Sequence, residues 1–145
     1  MTGTPPLVRQ ATSVAIDGRA ILIEGDSGTG KSSLALELID RGAVLVGDDA
    51  VLLEVSGNRL LAHPHPNTRG LVEVRNLGIL PFPCAEEATV ALVIVLNPQA
   101  PRFIEAADTI EIAGIAIPLV RLWPHAGPLA LKAELALSHF GNRVC

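Results

Sequence analysis

A glycine-rich octapeptide between an apolar strand and a helix constrains this chain more than any other feature. Residues 25–32 read Gly-Asp-Ser-Gly-Thr-Gly-Lys-Ser and fit G-x-x-x-x-G-K-S/T at every fixed position. Residues 20–24 form an apolar run of strand length, and residues 32–41 place leucine and isoleucine on one helical face. Strand, loop and helix in this order are the context that a phosphate-binding loop requires, which favours that interpretation over a chance glycine turn.

Each residue type in the loop has a chemical reason to be there. Glycines let backbone N–H groups surround an anion without a side chain in the way. Lys31 supplies a mobile positive charge for β- and γ-phosphates, and the Ser32 hydroxyl can bind Mg²⁺. The helix that follows directs its positive end at the same phosphates. The candidate nucleotide-binding residues are Gly25, Asp26, Ser27, Gly28, Thr29, Gly30, Lys31, Ser32 and Ser33.

Two adjacent carboxylates, Asp48 and Asp49, follow the short apolar strand at residues 44–46. Beside a phosphate loop, one such acid can hold Mg²⁺ and the other can accept the proton of an attacking hydroxyl. Neighbouring strand residues point to opposite sides, so the two acids need not share a role. An ordinary acidic turn is the alternative, and the nearby phosphate loop makes it the weaker one.

A carboxylate and a guanidinium, Glu73 and Arg75, lie two residues apart in the mixed apolar and charged segment 70–80. On a strand this spacing places both on one side. They can form a structural ion pair, which the residue types alone favour, or they can line a site that orients phosphate or binds a phosphoprotein.

Composition and charge narrow the class of protein. One domain is expected for the 145 residues, with residues 1–9 as a flexible N-terminus, and 49% hydrophobic residues supply an aliphatic core. A net charge of −4, with lysine only at positions 31 and 132, argues against nucleic acid and anionic membranes as partners. No signal peptide is evident, and the longest wholly apolar run, residues 90–96, is too short to span a bilayer. We therefore expect a soluble cytoplasmic protein with Cys84 and Cys145 as free thiols.

Hairpins dominate the predicted secondary structure. Turn signals predict hairpins over residues 14–23, 51–62 and 109–120, while residues 89–96 form a strand buried on both faces and residues 129–140 the final helix. Two helices among this many strands do not fit the regular alternation of doubly wound nucleotide kinases. The prediction is an α/β fold that carries its phosphate loop on a mixed, hairpin-rich sheet.

Four segments, in order, resemble the kinase domain of bacterial HPr kinase/phosphorylase: residues 25–32, 34–39, 45–51 and 71–79. The resemblance is closest to short forms without the N-terminal domain and covers about residues 10 to 136. It implies a fold related to phosphoenolpyruvate carboxykinase. It also implies an ATP- and Mg²⁺-dependent kinase that phosphorylates a serine of HPr, a carrier protein of the phosphotransferase system. The resemblance further implies a homo-oligomer, which is a hexamer in the family.

The resemblance also implies roles for individual residues. Lys31 and Ser32 match the phosphate and metal residues, Asp48 matches the acid that activates the acceptor serine, and Asp49 matches its neighbour at the metal. Glu73 and Arg75 match two positions of the family's signature segment. We therefore expect Lys31 and Asp48 to be catalytic, Ser32 and Asp49 to bind metal, and Glu73 and Arg75 to contact the substrate.

The chain departs from the family pattern at three positions. Gln10 stands where the family usually has a histidine, and a neutral amide cannot exchange protons at neutral pH as histidine can. The resemblance therefore does not carry the reverse phosphorolysis over to this chain. Ser33 replaces a common acid, and Asn76 replaces a glycine of the signature, where asparagine is a good substitute at positive φ.

Two other functions stay open. A small-metabolite kinase is less favoured because no lid helix or arginine-rich acceptor segment is visible. A nucleotide-binding regulator without catalysis is compatible with Gln10 and Ser33. Trp123 is interpreted as a packing residue before the last helix. The four histidines are interpreted as loop or isolated residues: His63, His65, His125 and His139.

Overall fold

The structure, a computed structural model, describes residues 5–143. Cys145, expected to be a free thiol, lies outside the described residues. In chain order the strands and helices of the described part are β1 (Leu7–Arg9), β2 (Thr12–Ile16), β3 (Arg19–Gly25), α1 (Lys31–Asp40), β4 (Val44–Gly47), β5 (Val51–Ser56), β6 (Arg59–Pro64), β7 (Leu71–Val74), β8 (Gly78–Pro81), β9 (Ala88–Leu96), β10 (Asp108–Ile112), β11 (Ile115–Leu122) and α2 (Leu129–Phe140).

Strand β9 organises a mixed sheet whose order is β1-β5-β6-β9-β3-β2-β4. One edge of β9 pairs in parallel with β3 along most of its length. Its other edge is divided: the first residues pair with β6, and Val93 to Leu96 pair in parallel with β11. Strand β10 completes the β11 side, and β7 and β8 form a separate two-stranded sheet.

The parallel strands β3, β9 and β11 set the position of the site. Their carboxyl ends lie at one edge of the sheet, and ligands of open α/β sheets bind outside such an edge. The phosphate loop follows β3, residues 97–107 follow β9, and residues 123–128 follow β11. Three connections that are distant in sequence therefore meet at the same edge.

Two apolar cores cover the faces of the sheet. Both helices pack on one face, where fully buried aliphatic residues of β3 and β9 meet α1 and α2: Ile21, Ile23, Leu92, Ile94, Leu34, Leu38 and Ala133. The other face packs against the β5–β6 and β10–β11 hairpins through Leu22, Val93, Leu53, Leu60 and Ile117. Strand β9 is therefore buried on both faces, which confirms the prediction for residues 89–96.

An ion pair joins the two helices at their outer surface. Arg41, directly after α1, donates from Nε and Nη2 to the two carboxylate oxygens of Glu134, at 2.9 and 2.8 Å. This guanidinium lowers the pKa of Glu134.

Neither helix within residues 5–143 has the length and apolarity that a bilayer crossing needs.

The predicted hairpins and the final helix are confirmed, because their turn and periodicity signals are local. Within the segment 1–9 that was expected to be a flexible N-terminus, Leu7–Arg9 pair with β5 as an edge strand, and residues 1–4 lie outside the described residues. Strand β6 also runs two residues further than the predicted hairpin and includes His63 and Pro64.

The burial of β9 generates a stability prediction. Ile94 is 0% exposed in the helix-side core, whereas Ile79, on the exposed side of β8, is 67% exposed. Ile94→Ala should lower the free energy of unfolding by about 2–5 kcal/mol, because it removes buried methyl groups and leaves a cavity. The matched change Ile79→Ala should alter it by less than about 0.5 kcal/mol. Urea unfolding monitored by circular dichroism measures both, and equal effects would contradict the described core.

Candidate active site

The phosphate loop closes on itself through a tight turn. The Thr29 amide donates to the Asp26 carbonyl at 3.2 Å, and the Thr29 hydroxyl donates to the same oxygen at 2.7 Å. Gly25 opens the loop at φ 151°, where a Cβ would lie 2.8 Å from the Leu96 carbonyl of β9. Asp26 and Thr29 therefore shape the loop, and Gly25 allows it to leave β3 against the neighbouring strand.

Helix α1 presents unpaired amides at the end of the loop. Gly30 precedes the helix in the left-handed conformation (φ 93°), and no side chain within the described residues caps this end. The first amide that bonds within the helix is that of Leu34, which donates to the Gly30 carbonyl. The amides of Lys31, Ser32 and Ser33 are thus the donors that a helix N-terminus offers to an anion. Lys31 Nζ donates to the Gly25 carbonyl at 2.7 Å and so lies over the loop.

Asp48 is the most enclosed acid of the site, with 6% of its surface exposed. Its Oδ1 accepts hydrogen bonds from the Ser32 hydroxyl at 2.7 Å and from the Thr12 hydroxyl at 3.0 Å. Its Oδ2 accepts from the Glu73 amide at 3.3 Å. Both oxygens therefore face protein donors, and one of these donors is the predicted metal-binding serine.

Asp49 is placed differently from its neighbour. Its backbone is in the left-handed conformation (φ 65°), and its amide donates to the Thr12 hydroxyl at 3.3 Å. Its side chain lines the cavity in front of the phosphate loop. Burial raises the pKa of Asp49, the neighbouring Asp48 and Glu73 charges raise it further, and Lys31 opposes them. A raised pKa makes a carboxylate a better proton acceptor.

An open cavity of about 350 Å³ joins most of the predicted residues. Its lining includes Lys31, Ser32 and Ser33 from the start of α1 together with Asp49, Glu73 and Arg75. A neighbouring cavity of about 380 Å³ shares Ser27, Lys31 and Asp49 and adds Gly25 and Gln10. Among the predicted nucleotide-binding residues, Asp26 and Thr29 line neither cavity.

Glu73 and Arg75 reach the cavity from the β7–β8 hairpin. Glu73 belongs to β7, whereas Arg75 lies in the turn between β7 and β8, so they are not two residues of one strand face as the spacing suggested. No ion pair joins them within the part of the chain that the structure describes. Of the two interpretations of this pair, the geometry favours the one in which both line a site.

The sequence reasoning missed Thr12 and set His125 aside. Thr12 is fully buried and bonds to both Asp48 and the Asp49 amide. His125 lies in the connection after β11 and contacts the phosphate loop at the Gly28 carbonyl, 3.1 Å away. A buried Thr-Ser pair in an apolar strand was a signal for Thr12. His125 follows β11, which runs parallel to β3, and no local sequence pattern predicts that placement.

The residues present fit a magnesium ion that shares its ligands with a polyphosphate. Ser32 and Asp48 offer hydroxyl and carboxylate oxygens, which are hard ligands. Within residues 5–143 no group of three or more His, Cys, Asp or Glu side chains is arranged to hold a metal. Magnesium usually needs no such cage, since it takes one or two carboxylates together with phosphate oxygens and water.

Curated relatives match nearly the whole chain. The HPr kinase/phosphorylase of Caldicellulosiruptor bescii is 36% identical over 146 residues, which cover 91% of this chain and 47% of the relative. The HPr kinase/phosphorylase of Mycoplasma mycoides subsp. mycoides is 29% identical over 152 residues, which cover 94% of this chain and 49% of the relative. The chain therefore spans about half the length of these two relatives.

A solved structure and a family model agree with these relatives. The Hpr(Ser) kinase/phosphatase from Coxiella burnetii superposes with a TM-score of 0.81 at 29% identity, covering 91% of this chain and 88% of that one. This confirms the expected α/β fold of the HPr kinase type. A model described as the HPr Serine kinase C-terminal domain matches residues 6–122. The phosphate loop, the paired acids and the β7–β8 hairpin all lie inside that match, and the chain belongs to the HPr serine kinase C-terminal domain family.

Proposed function

We propose that this protein transfers the γ-phosphoryl group of ATP to a serine of an HPr-type phosphocarrier protein. One observation carries the proposal: a single cavity is lined by Lys31 and Ser32 of the phosphate loop and by Asp49, and Asp48 lies directly behind Ser32, whose hydroxyl donates to it. The relatives named HPr kinase/phosphorylase supply the identity of the acceptor. We also propose that the protein is a cytoplasmic homo-oligomer, which by the family resemblance is a hexamer.

The phosphate loop would hold the triphosphate by charge and by backbone donors. The amides at the start of α1 point towards the anion, and the positive end of the helix dipole adds to them. Lys31 would leave the Gly25 carbonyl, which it now contacts, for the β- and γ-phosphates. Because catalysis of phosphoryl transfer is mainly positioning and charge stabilisation, these groups account for most of the rate enhancement.

The geometry favours a division of labour between the two acids opposite to the one expected from the resemblance. Asp48 is only 6% exposed, accepts three hydrogen bonds from protein donors and does not line the cavity that an acceptor hydroxyl would enter. It is instead directed at Ser32, the magnesium-binding hydroxyl of the motif. Asp49 faces the cavity and has a raised pKa. We therefore assign Asp48 to the metal side and Asp49 to the acceptor serine.

The proposed phosphoryl transfer is a direct displacement. The acceptor serine oxygen forms a bond to the γ-phosphorus while the bond to the oxygen of ADP breaks, and Asp49 takes the serine proton. Ser32 and Asp48 would hold the magnesium ion, whose positive charge would offset charge on the phosphates. Arg75 lines the same cavity, and its guanidinium would orient phosphate oxygens there.

Conservative substitutions at the two acids test this assignment. Asp49→Asn should lower the transfer rate at saturating Mg²⁺ by about 10²–10⁴-fold, because the proton acceptor is lost. Asp48→Asn should instead raise the Mg²⁺ concentration that half-maximal activity needs. The assay is transfer of labelled γ-phosphate from ATP to the cognate HPr. Lys31→Ala and an HPr whose acceptor serine is alanine serve as controls.

Three results would revise the proposal. Full activity of Asp49→Asn would return the proton acceptor to Asp48. Label on free sugars or nucleosides but not on HPr would identify a small-metabolite kinase. ATP binding without any transfer by the unaltered protein would identify a nucleotide-binding regulator. Addition of pyrophosphate or phosphate to labelled HPr then tests the reverse reaction, which Gln10 does not support.

Thr12 provides a second prediction from the same geometry. Thr12→Val should lower the free energy of unfolding by about 1–3 kcal/mol, because the amide of Asp49 and an oxygen of Asp48 lose a partner. It should also raise the Mg²⁺ concentration that half-maximal activity needs, because Thr12 holds the Asp48 oxygen that contacts Ser32. Ser13→Ala is the matched control, since Ser13 is equally buried but donates to the Ile21 carbonyl, away from the acids. Ser13→Ala should cost a comparable stability and leave the Mg²⁺ response unchanged. An altered Mg²⁺ response in both variants would contradict a specific role for Thr12.

A further inference from the structure

The connection after β11, residues 123–128, contacts the phosphate loop through His125. The imidazole Nε2 lies 3.1 Å from the carbonyl oxygen of Gly28, and these residues are 97 positions apart in the chain. The ring also packs on the next glycine of the loop, since a Cβ on Gly30 would lie 3.1 Å from the ring Cε1. His125 is therefore in contact with the loop at two points, and it lines the same cavity as Lys31.

The partner atom fixes which ring nitrogen carries the proton. A backbone carbonyl can only accept a hydrogen bond, so Nε2 must be the donor. Both the neutral Nε2–H tautomer and the imidazolium satisfy this contact, and the Nδ1–H tautomer does not. This contact gives His125 a spectroscopic signature that can be measured in the free protein.

Several contacts hold residues 123–128 in place. The Trp123 indole donates to the Ala100 carbonyl at 2.6 Å, and Lys132 Nζ donates from α2 to the Ala126 carbonyl at 3.1 Å. His125 itself has φ 57°, a left-handed conformation that is uncommon for residues with a side chain, although histidine adopts it more often than most. Such a conformation persists where the surroundings determine it. The imidazole is thus presented to the loop by a fixed segment.

The hydrogen bond from His125 completes the fixation of one peptide unit in the loop. The Gly28–Thr29 peptide has its carbonyl bonded to His125 and its amide bonded to the Asp26 carbonyl. Glycine on one side of that peptide would otherwise allow it to rotate. Rotation would break both of these hydrogen bonds and change the course of the loop before Gly30. With both ends held, the amides that follow keep their direction towards the phosphates.

We propose that His125 is a positioning residue of the polyphosphate site, which fixes the phosphate loop through the Gly28 carbonyl. This role rests on the phosphate site of the proposed function. Because the contact is to the loop and not to a nucleoside, His125 acts equally on nucleoside triphosphates and on inorganic polyphosphates. The ligand class that reports on it is therefore any linear triphosphate bound with Mg²⁺.

Binding of ATP and of inorganic tripolyphosphate to matched variants tests the role. His125→Leu removes the donor, and the dissociation constants of ATP and tripolyphosphate should both rise by the same factor, about three- to tenfold. His125→Gln, whose side-chain amide can reach the Gly28 carbonyl, should stay within about twofold of the unaltered protein. His139→Leu, at an exposed position on α2, is the control and should bind both ligands unchanged. Nitrogen-15 NMR of the free protein should show His125 protonated at Nε2.

The outcomes separate this role from the proposed function. Unchanged binding of both ligands by His125→Leu would overturn the role and leave the proposed function in place. Weaker binding of ATP alone would also overturn it, because His125 would then contact the nucleoside. A Nδ1–H tautomer would remove the hydrogen bond on which the role depends. Unaltered protein that binds neither ligand would overturn the proposed function and this role with it.

Discussion

The buried carboxylate of Asp48 is the interaction on which the rest of the site depends. It accepts hydrogen bonds from Thr12 on β2, from Ser32 on α1 and from the Glu73 amide on β7. A buried charge is costly unless its lone pairs are satisfied, so these donors fix Asp48 and Asp48 in turn fixes their segments. The phosphate loop, the acid pair and the β7–β8 hairpin hold their mutual positions through this one side chain.

How much of the molecule the sequence predicts depends on how local each signal is. The β2–β3, β5–β6 and β10–β11 hairpins were predictable because short turns set their pairing. The residues of the phosphate loop were predictable because the motif is contiguous. The parallel pairing of β3 with β9 and of β9 with β11 was not, because it joins strands across long stretches of chain.

The site follows the same rule. Thr12 reaches Asp48 over 36 positions and His125 reaches Gly28 over 97, so no spacing within a motif could predict either contact. The resemblance to a family identified Asp48 and Asp49 as a pair but not which of them faces the cavity. That depends on the left-handed backbone of Asp49, which turns its side chain away from the protein donors that surround Asp48.

The left-handed backbone at Asp49 also bears on how such a protein can change over time. Among residues with a side chain, aspartate and asparagine tolerate this conformation best. Asparagine can therefore replace Asp49 without distorting the turn, and in the proposed mechanism it retains the phosphate loop and the metal side but accepts no proton. A phosphoryl-transferring enzyme and a nucleotide sensor on this fold are then one conservative exchange apart. The backbone conformation that presents Asp49 to the cavity therefore also accommodates an asparagine that cannot accept the proton.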